Sequence, residues 1–147
     1  MPRHGMPTID LTPRELAAVR DASRALRRAL GASAGAEPAE ERLQALLMVV
    51  GRDVIGDYLG GLGGGEPFEE HGVTWKPVLH KQKKLLTSFG WVQVERPLFR
   101  SVRNGPTRCL VSERAGLFQD MTPRAARLAA LATAELPFGR AEADRKS

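Results

Sequence analysis

Apolar positions recur at three- and four-residue intervals twice in the N-terminal part of the chain. Thr12-Pro13-Arg14-Glu15 is a capping-box sequence with proline at the first helical position. There its missing N–H costs nothing, and the Thr hydroxyl and Glu carboxylate satisfy orphan amides. Leu16, Val19, Ser23, Leu26 and Leu30 then fall on one stripe, with Arg20, Arg24, Arg27 and Arg28 mostly outside it, until Gly31 supplies a stop. The spacing predicts a helix over 13–30. After the small-residue stretch Gly31 to Glu37, Pro38 and the acidic Glu40-Glu41 suit a helix N-terminus. Leu43, Leu46, Leu47, Val50, Val54, Tyr58 and Leu59 carry a second apolar stripe, predicting a helix over 38–59 and a two-helix hairpin. Gly51 and Gly56 interrupt it, each costing about 1 kcal/mol relative to Ala, which reads as close packing against a partner helix or as tolerance.

The run Gly60-Gly61-Leu62-Gly63-Gly64-Gly65 lacks the Gly-Lys-Ser/Thr ending of a phosphate loop, and Glu66-Pro67 follows where a helix N-terminus would have to bind the anion. It reads as a flexible linker over 60–72. From Val73 the period becomes strand-like and β-branched and aromatic residues become common. Leu85-Leu86-Thr87 and Trp91-Val92-Gln93-Val94 flank Ser88-Phe89-Gly90, a hairpin signal. Pro97 donates no ladder bond, so its strand is expected to be an edge there or to carry a bulge. Asn104-Gly105 signals a tight turn returning Thr107 to Val111 as a further strand.

Thr122-Pro123 opens a C-terminal helix with Leu128, Leu131, Ala132 and Leu136 on one face, ending at Pro137. Pro137-Phe138-Gly139-Arg140-Ala141 resembles the start of another helix. The expected class is α+β: a helical region over 1–59, the linker 60–72, a basic antiparallel meander over 73–117, and a C-terminal helix or helix pair over 118–147.

Charge sharpens this division. The chain of 147 residues has a net charge of +5, yet residues 74–114 hold nine basic and two acidic side chains. Charge concentrated in this way is what a phosphate-backbone contact surface shows. The basic set before and along the hairpin is Lys76, Lys81, Lys83, Lys84, Arg96, Arg100, Arg103, Arg108 and Arg114. On a regular strand Arg96 and Arg100 share a face, unless a bulge at Pro97 breaks the alternation. Trp75 and Trp91 are expected to fill the small core rather than to stack on bases.

Other chemistry finds little support. His4, His71 and His80 share no metal-ligand spacing, and Cys109 between Arg108 and Leu110 reads as a buried small hydrophobe with no His/Asn arrangement to activate it. The acidic pairs Glu40-Glu41 and Glu69-Glu70 are adjacent rather than convergent, so neither a two-metal site nor any cofactor is expected. With no long apolar run and no apolar region after Met1-Pro2-Arg3-His4-Gly5, the expectation is a cytoplasmic protein without a membrane partner or a small-molecule substrate.

The stretch Thr87-Ser88-Phe89-Gly90-Trp91-Val92-Gln93-Val94-Glu95-Arg96, then Phe99-Arg100, Asn104-Gly105-Pro106 and Leu110-Val111-Ser112-Glu113-Arg114-Ala115-Gly116-Leu117, resembles the N-terminal region of bacterial insertion-sequence transposases of the ISKra/ISLre-like group. Thr122 to Ala126, leading to Glu135-Leu136-Pro137-Phe138 and Ala141, is similar to the helix pair that follows in that group. The resemblance covers roughly residues 72 to 142. Many relatives place a Cys-x-x-Cys pair where this chain has Ser101 and Asn104, so a zinc knuckle does not carry over, and Ser112 stands where the pattern usually has Asp.

The resemblance implies a DNA-binding N-terminal piece of a transposase, truncated before an RNase H-like catalytic domain and so not an enzyme. Lys81, Lys83, Lys84, Arg96, Arg100, Arg103 and Arg108 are then expected to hold phosphates of transposon ends or of non-specific duplex. Self-association, or pairing with a full-length transposase, is expected of the helices. The alternative is a protein-interaction or regulatory module that does not bind DNA directly.

Overall fold

The computed structural model describes residues 9–32 and 35–135. Its elements are α1 (Pro13–Leu30), α2 (Ala36–Gly61), β1 (Phe68–Glu70), β2 (Val73–Thr87), β3 (Gly90–Arg100), β4 (Arg108–Cys109), α3 (Leu110–Ala115) and α4 (Pro123–Glu135). The class is α+β: two N-terminal helices, an antiparallel four-stranded meander in the order β1-β2-β3-β4, and C-terminal helices. The expected helix start at Pro137 lies outside the described residues. No helix among those described is long and apolar enough to cross a membrane. The chain divides into two compact units after Leu47, inside α2, well before the glycine run at which composition changes.

In the first unit the capping box forms as its sequence predicts. Glu15 N–H donates to Thr12 Oγ1 at 3.1 Å, and Thr12 N–H donates to Glu15 Oε1 at 3.1 Å. The Thr12 backbone N–H foremost, and the Thr12 side chain after it, hold the Glu15 carboxyl below its ordinary pKa. At the other end Gly31 takes φ +66°, and its N–H reaches back to the Arg27 carbonyl. No residue of α1 is buried. Leu26 and Leu30 of α1 face Leu43 and Leu47 of α2 across an apolar hollow of about 340 Å³.

The second unit has the denser core. Leu59 of α2, Leu85 of β2, Val92 and Val94 of β3 and Val111 of α3 are buried together, with Ile55, Leu62, Cys109, Ala115 and Leu117 packed around them. The glycines of α2 lie against the hairpin rather than against a partner helix. A Cβ on Gly51 would collide with the Phe89 ring, and one on Gly63 would sit 2.8 Å from Pro97 Cδ and 3.1 Å from Val111 Cγ2. Gly60 and Gly61 form the last turn of α2, and Gly63 is packed into the core, so the early part of the expected linker is structured.

Three local differences from the sequence reading have physical causes. Residues 68–70, expected in the linker, form β1, because Phe68 pairs with Trp75 and packs edge-on against Phe99 at a centroid distance of 5.2 Å. His71 and Gly72 both take positive φ, +52° and +76°, as the tightest hairpin connection requires. The strand expected over 107–111 is only two residues long. Leu110 and Val111 are buried as the inward face of α3, which Gly116 ends in the left-handed conformation. The bulge expected at Pro97 falls on the facing strand, at Val78: Pro77 pairs with Phe99 and Leu79 with Leu98.

Candidate nucleic-acid interface

Residues directly opposite each other on antiparallel strands share a face. The register pairs Leu85 with Val92, Lys83 with Val94, Lys81 with Arg96 and Leu79 with Leu98. Without the bulge, Lys76 would alternate onto the other face from Lys81 and Lys83. The extra residue Val78 reverses that, and Lys76 pairs with Arg100 on the Lys81 side. One face of the hairpin therefore carries Lys76, Lys81 and Lys83 from β2 and Arg96 and Arg100 from β3. Beyond the core residues Leu85, Val92 and Val94, this face is a basic row interrupted by the apolar pair Leu79 and Leu98. Lys76 to Lys83 spans roughly 20 Å at about 3.3 Å per residue.

Carboxylates are scarce along the row. Lys83 Nζ lies 3.2 Å from Asp120 Oδ2, with both side chains partly exposed. Glu69, opposite Thr74 on the same face, accepts from the Thr74 hydroxyl at 3.4 Å and makes no ion pair among the described residues. Lys76 faces Arg100 and Lys81 faces Arg96, two like-charge cross-strand pairs of a kind that destabilises a sheet unless counter-charge is supplied. Arg96 is half-buried and turned toward α3, its Nη1 3.7 Å from Cys109 Sγ and 3.5 Å from Ser112 Oγ. The Nε atoms of Arg96 and Arg100 are buried without a hydrogen-bond partner.

Two of the seven expected phosphate contacts are elsewhere. Lys84 pairs with Gln93 and belongs to the opposite face, with Gln82, His80 and Glu95. There Gln93 Nε2 donates to Gln82 Oε1 at 2.6 Å, and His80 Nδ1 is 3.5 Å from Glu95 Oε1. Arg108 is also on that face, opposite Phe99, and four of the five N–H donors of its guanidinium are engaged by carboxylates. It donates to Glu113 from Nη2 at 2.7 Å and from Nε at 3.2 Å, and to Glu70 from Nη1 and Nη2 at 3.4 Å each. It also lies over the rings of Trp75, at 4.7 Å, and Phe68, at 5.6 Å. Its hydrogen bonds to Glu113, with weaker help from those to Glu70, push its pKa above the ordinary arginine value. Arg108 is thus a clamp joining β1, β4 and α3 rather than an open phosphate ligand.

Arg103 is exposed in the segment after β3 and lines a hollow with Arg100 and Lys76. Lys76, outside the expected set of seven, is the residue that the bulge adds. The neighbouring Pro77 and the facing Pro97 were the only sequence signals that alternation would fail there. The tryptophans separate: Trp75 is half-buried beside Phe68 and under Arg108, whereas Trp91 is 60 % exposed and not in the core. Among the described residues no group of three His, Cys, Asp or Glu side chains converges to hold a metal ion. Comparison with known proteins gives no match, since no family model, curated protein or solved structure is similar to this chain.

Proposed function

We propose that this chain binds duplex DNA through its phosphate backbone, using the basic face of the β2–β3 hairpin, as a DNA-binding N-terminal segment of an insertion-sequence transposase. The observation that carries the reading is the pair of like-charge couples, Lys76 with Arg100 and Lys81 with Arg96, on one face. A polyanion is the counter-charge that such a face lacks, and Lys and Arg neutralise phosphates without reading bases. The transposase resemblance of residues 72 to 142 favours duplex DNA as the polyanion. The role is binding rather than catalysis, with no cofactor. In fluorescence anisotropy with a labelled duplex, Lys81→Gln weakens binding severalfold, while Lys84→Gln, on the opposite face, leaves it unchanged. Equal effects of the two substitutions contradict the assignment of this face.

A second role, self-association through the helical hairpin, is favoured by a different observation. α1 buries none of its residues, and the hollow between Leu26, Leu30, Leu43 and Leu47 is open. Arg14, Arg20 and Arg28 of α1 and Glu37, Glu40 and Glu41 of α2 form no ion pair among the described residues. A second copy lying across the hairpin with two-fold symmetry supplies both the apolar cover and the opposite charges, as in a four-helix bundle. Sedimentation of the full chain then gives a dimer that Leu43→Asp dissociates. A monomer at all concentrations rejects this role and leaves the DNA reading intact.

A further inference from the structure

The end of the hairpin beyond the bulge is shaped differently from the rest of the basic face. Val78, unpaired on β2, and the segment following Arg100 enclose a hollow of about 460 Å³. Lys76, Arg100 and Arg103 line it, with Ser101 and Asn104 as its neutral polar members, and no carboxylate is among the lining residues. The segment is held by a turn in which Gly105 N–H donates to the Val102 carbonyl at 3.0 Å, with Asn104 at φ +61°. The cations are therefore gathered by backbone geometry and not by an acidic partner. Concavity also separates this group from Lys81 and Lys83, which stand along an open strand.

Two features mark the cationic side chains here. Lys76 and Arg100 are directly opposite, so their charges repel across the ladder. Arg100 Nε is buried with no acceptor, and a partly desolvated guanidinium without a partner is unfavourable. While the buried Nε itself is closed to a ligand entering from solvent, a tetrahedral oxyanion answers the first directly. It presents several acceptor oxygens to a guanidinium fork and a point-charge ammonium, and it accepts from small hydroxyl and amide donors such as Ser101 and Asn104. A carboxylate has fewer acceptor oxygens for a site offering three cations and two neutral donors.

We infer that this hollow is a socket for a single phosphate group, held by Lys76, Arg100 and Arg103. The inference rests on the DNA-binding reading for the source of that phosphate, a backbone phosphodiester that anchors the duplex at one end of the basic row. A free phosphate is the other source of the same chemistry.

The test is amide chemical-shift mapping of the 147-residue chain titrated with inorganic phosphate at constant ionic strength, and separately with a short duplex. The expected result is a saturable phosphate response confined to residues 76 and 100–104. Arg103→Gln, at an exposed position that folding tolerates, weakens it about tenfold, the cost of one charge-assisted contact. Arg100→Lys, which keeps the charge and loses the fork, weakens it as well, and Lys84→Gln does not. A response that fails to saturate, or that spreads equally over Lys81, Lys83 and Lys84, overturns the socket even where duplex binding through Lys81 persists. Saturation by phosphate in a protein that does not bind duplex keeps the socket, assigns it to free phosphate, and overturns the DNA-binding reading instead.

Discussion

A cationic side chain in a basic segment is defined by what it touches. Arg108 and Lys81 look equivalent in the sequence, yet Arg108 is held by two carboxylates and two aromatic rings while Lys81 makes no ion pair among the described residues. Arg108→Lys keeps the charge but loses the fork to Glu113 and Glu70 and the broad face over Trp75. The expected outcome is a lower melting temperature in thermal unfolding with duplex affinity unchanged; lost affinity in a fully folded variant would show that Arg108 touches DNA. Its carboxylate partners Glu70 and Glu113 lie 38 and 5 residues away in sequence, so only the Glu113 half of the clamp is local. That separation is why the residue read as a phosphate ligand.

At the level of elements, what was legible depended on how local the determining contacts are. The α1 capping box, the Ser88-Phe89 connection and the Thr122 cap are each specified within a few residues, and each formed where the pattern placed it. At the hairpin, Thr87 Oγ1 accepts from Phe89 N–H at 3.1 Å and donates to the Gly90 carbonyl at 2.8 Å. β1 was not legible, because three residues after a glycine-rich run become a strand only through Phe68 meeting Trp75 and Phe99. The position of the bulge was not legible either, since an unpaired residue is defined by the register of both strands, and Pro97 indicates only the neighbourhood.

The glycines of α2 and of the residues just after it give a quantitative check at the same scale. A Cβ on Gly56 meets Val92 Cβ at an ordinary 3.7 Å, whereas one on Gly63 is pressed against the Pro97 ring and the buried Val111. Gly56→Ala therefore stabilises the protein by about 0.5–1 kcal/mol through helix propensity. Gly63→Ala destabilises it by about 1–3 kcal/mol through overpacking. Chemical denaturation of the two variants reads both signs. Equal and small effects would mean that α2 does not approach the hairpin as described.

Across the whole molecule the chain separates two tasks. Among the described residues, its first unit, ending at Leu47, offers a helical hairpin in which α1 buries no residue and several charges of both signs form no ion pair, and its second carries the core and the basic face. The charge asymmetry of residues 74–114 located the basic face to within one β-hairpin. It did not reveal which cations share a side, because that depends on one unpaired residue. Four of them, Lys76, Lys81, Arg100 and Arg103, make no ion pair among the described residues, whereas Lys83 is tied to Asp120 and Arg96 is turned toward α3.

The salt dependence of duplex binding by the full chain tests this account most directly. Neutralising about four phosphates gives a slope of log affinity against log salt of roughly −3 to −4, and Lys81→Gln makes it shallower by about 0.9. Lys84→Gln leaves the slope as it was. A flat dependence, or the same change of slope in both variants, would contradict a phosphate-binding face built by the bulge at Val78.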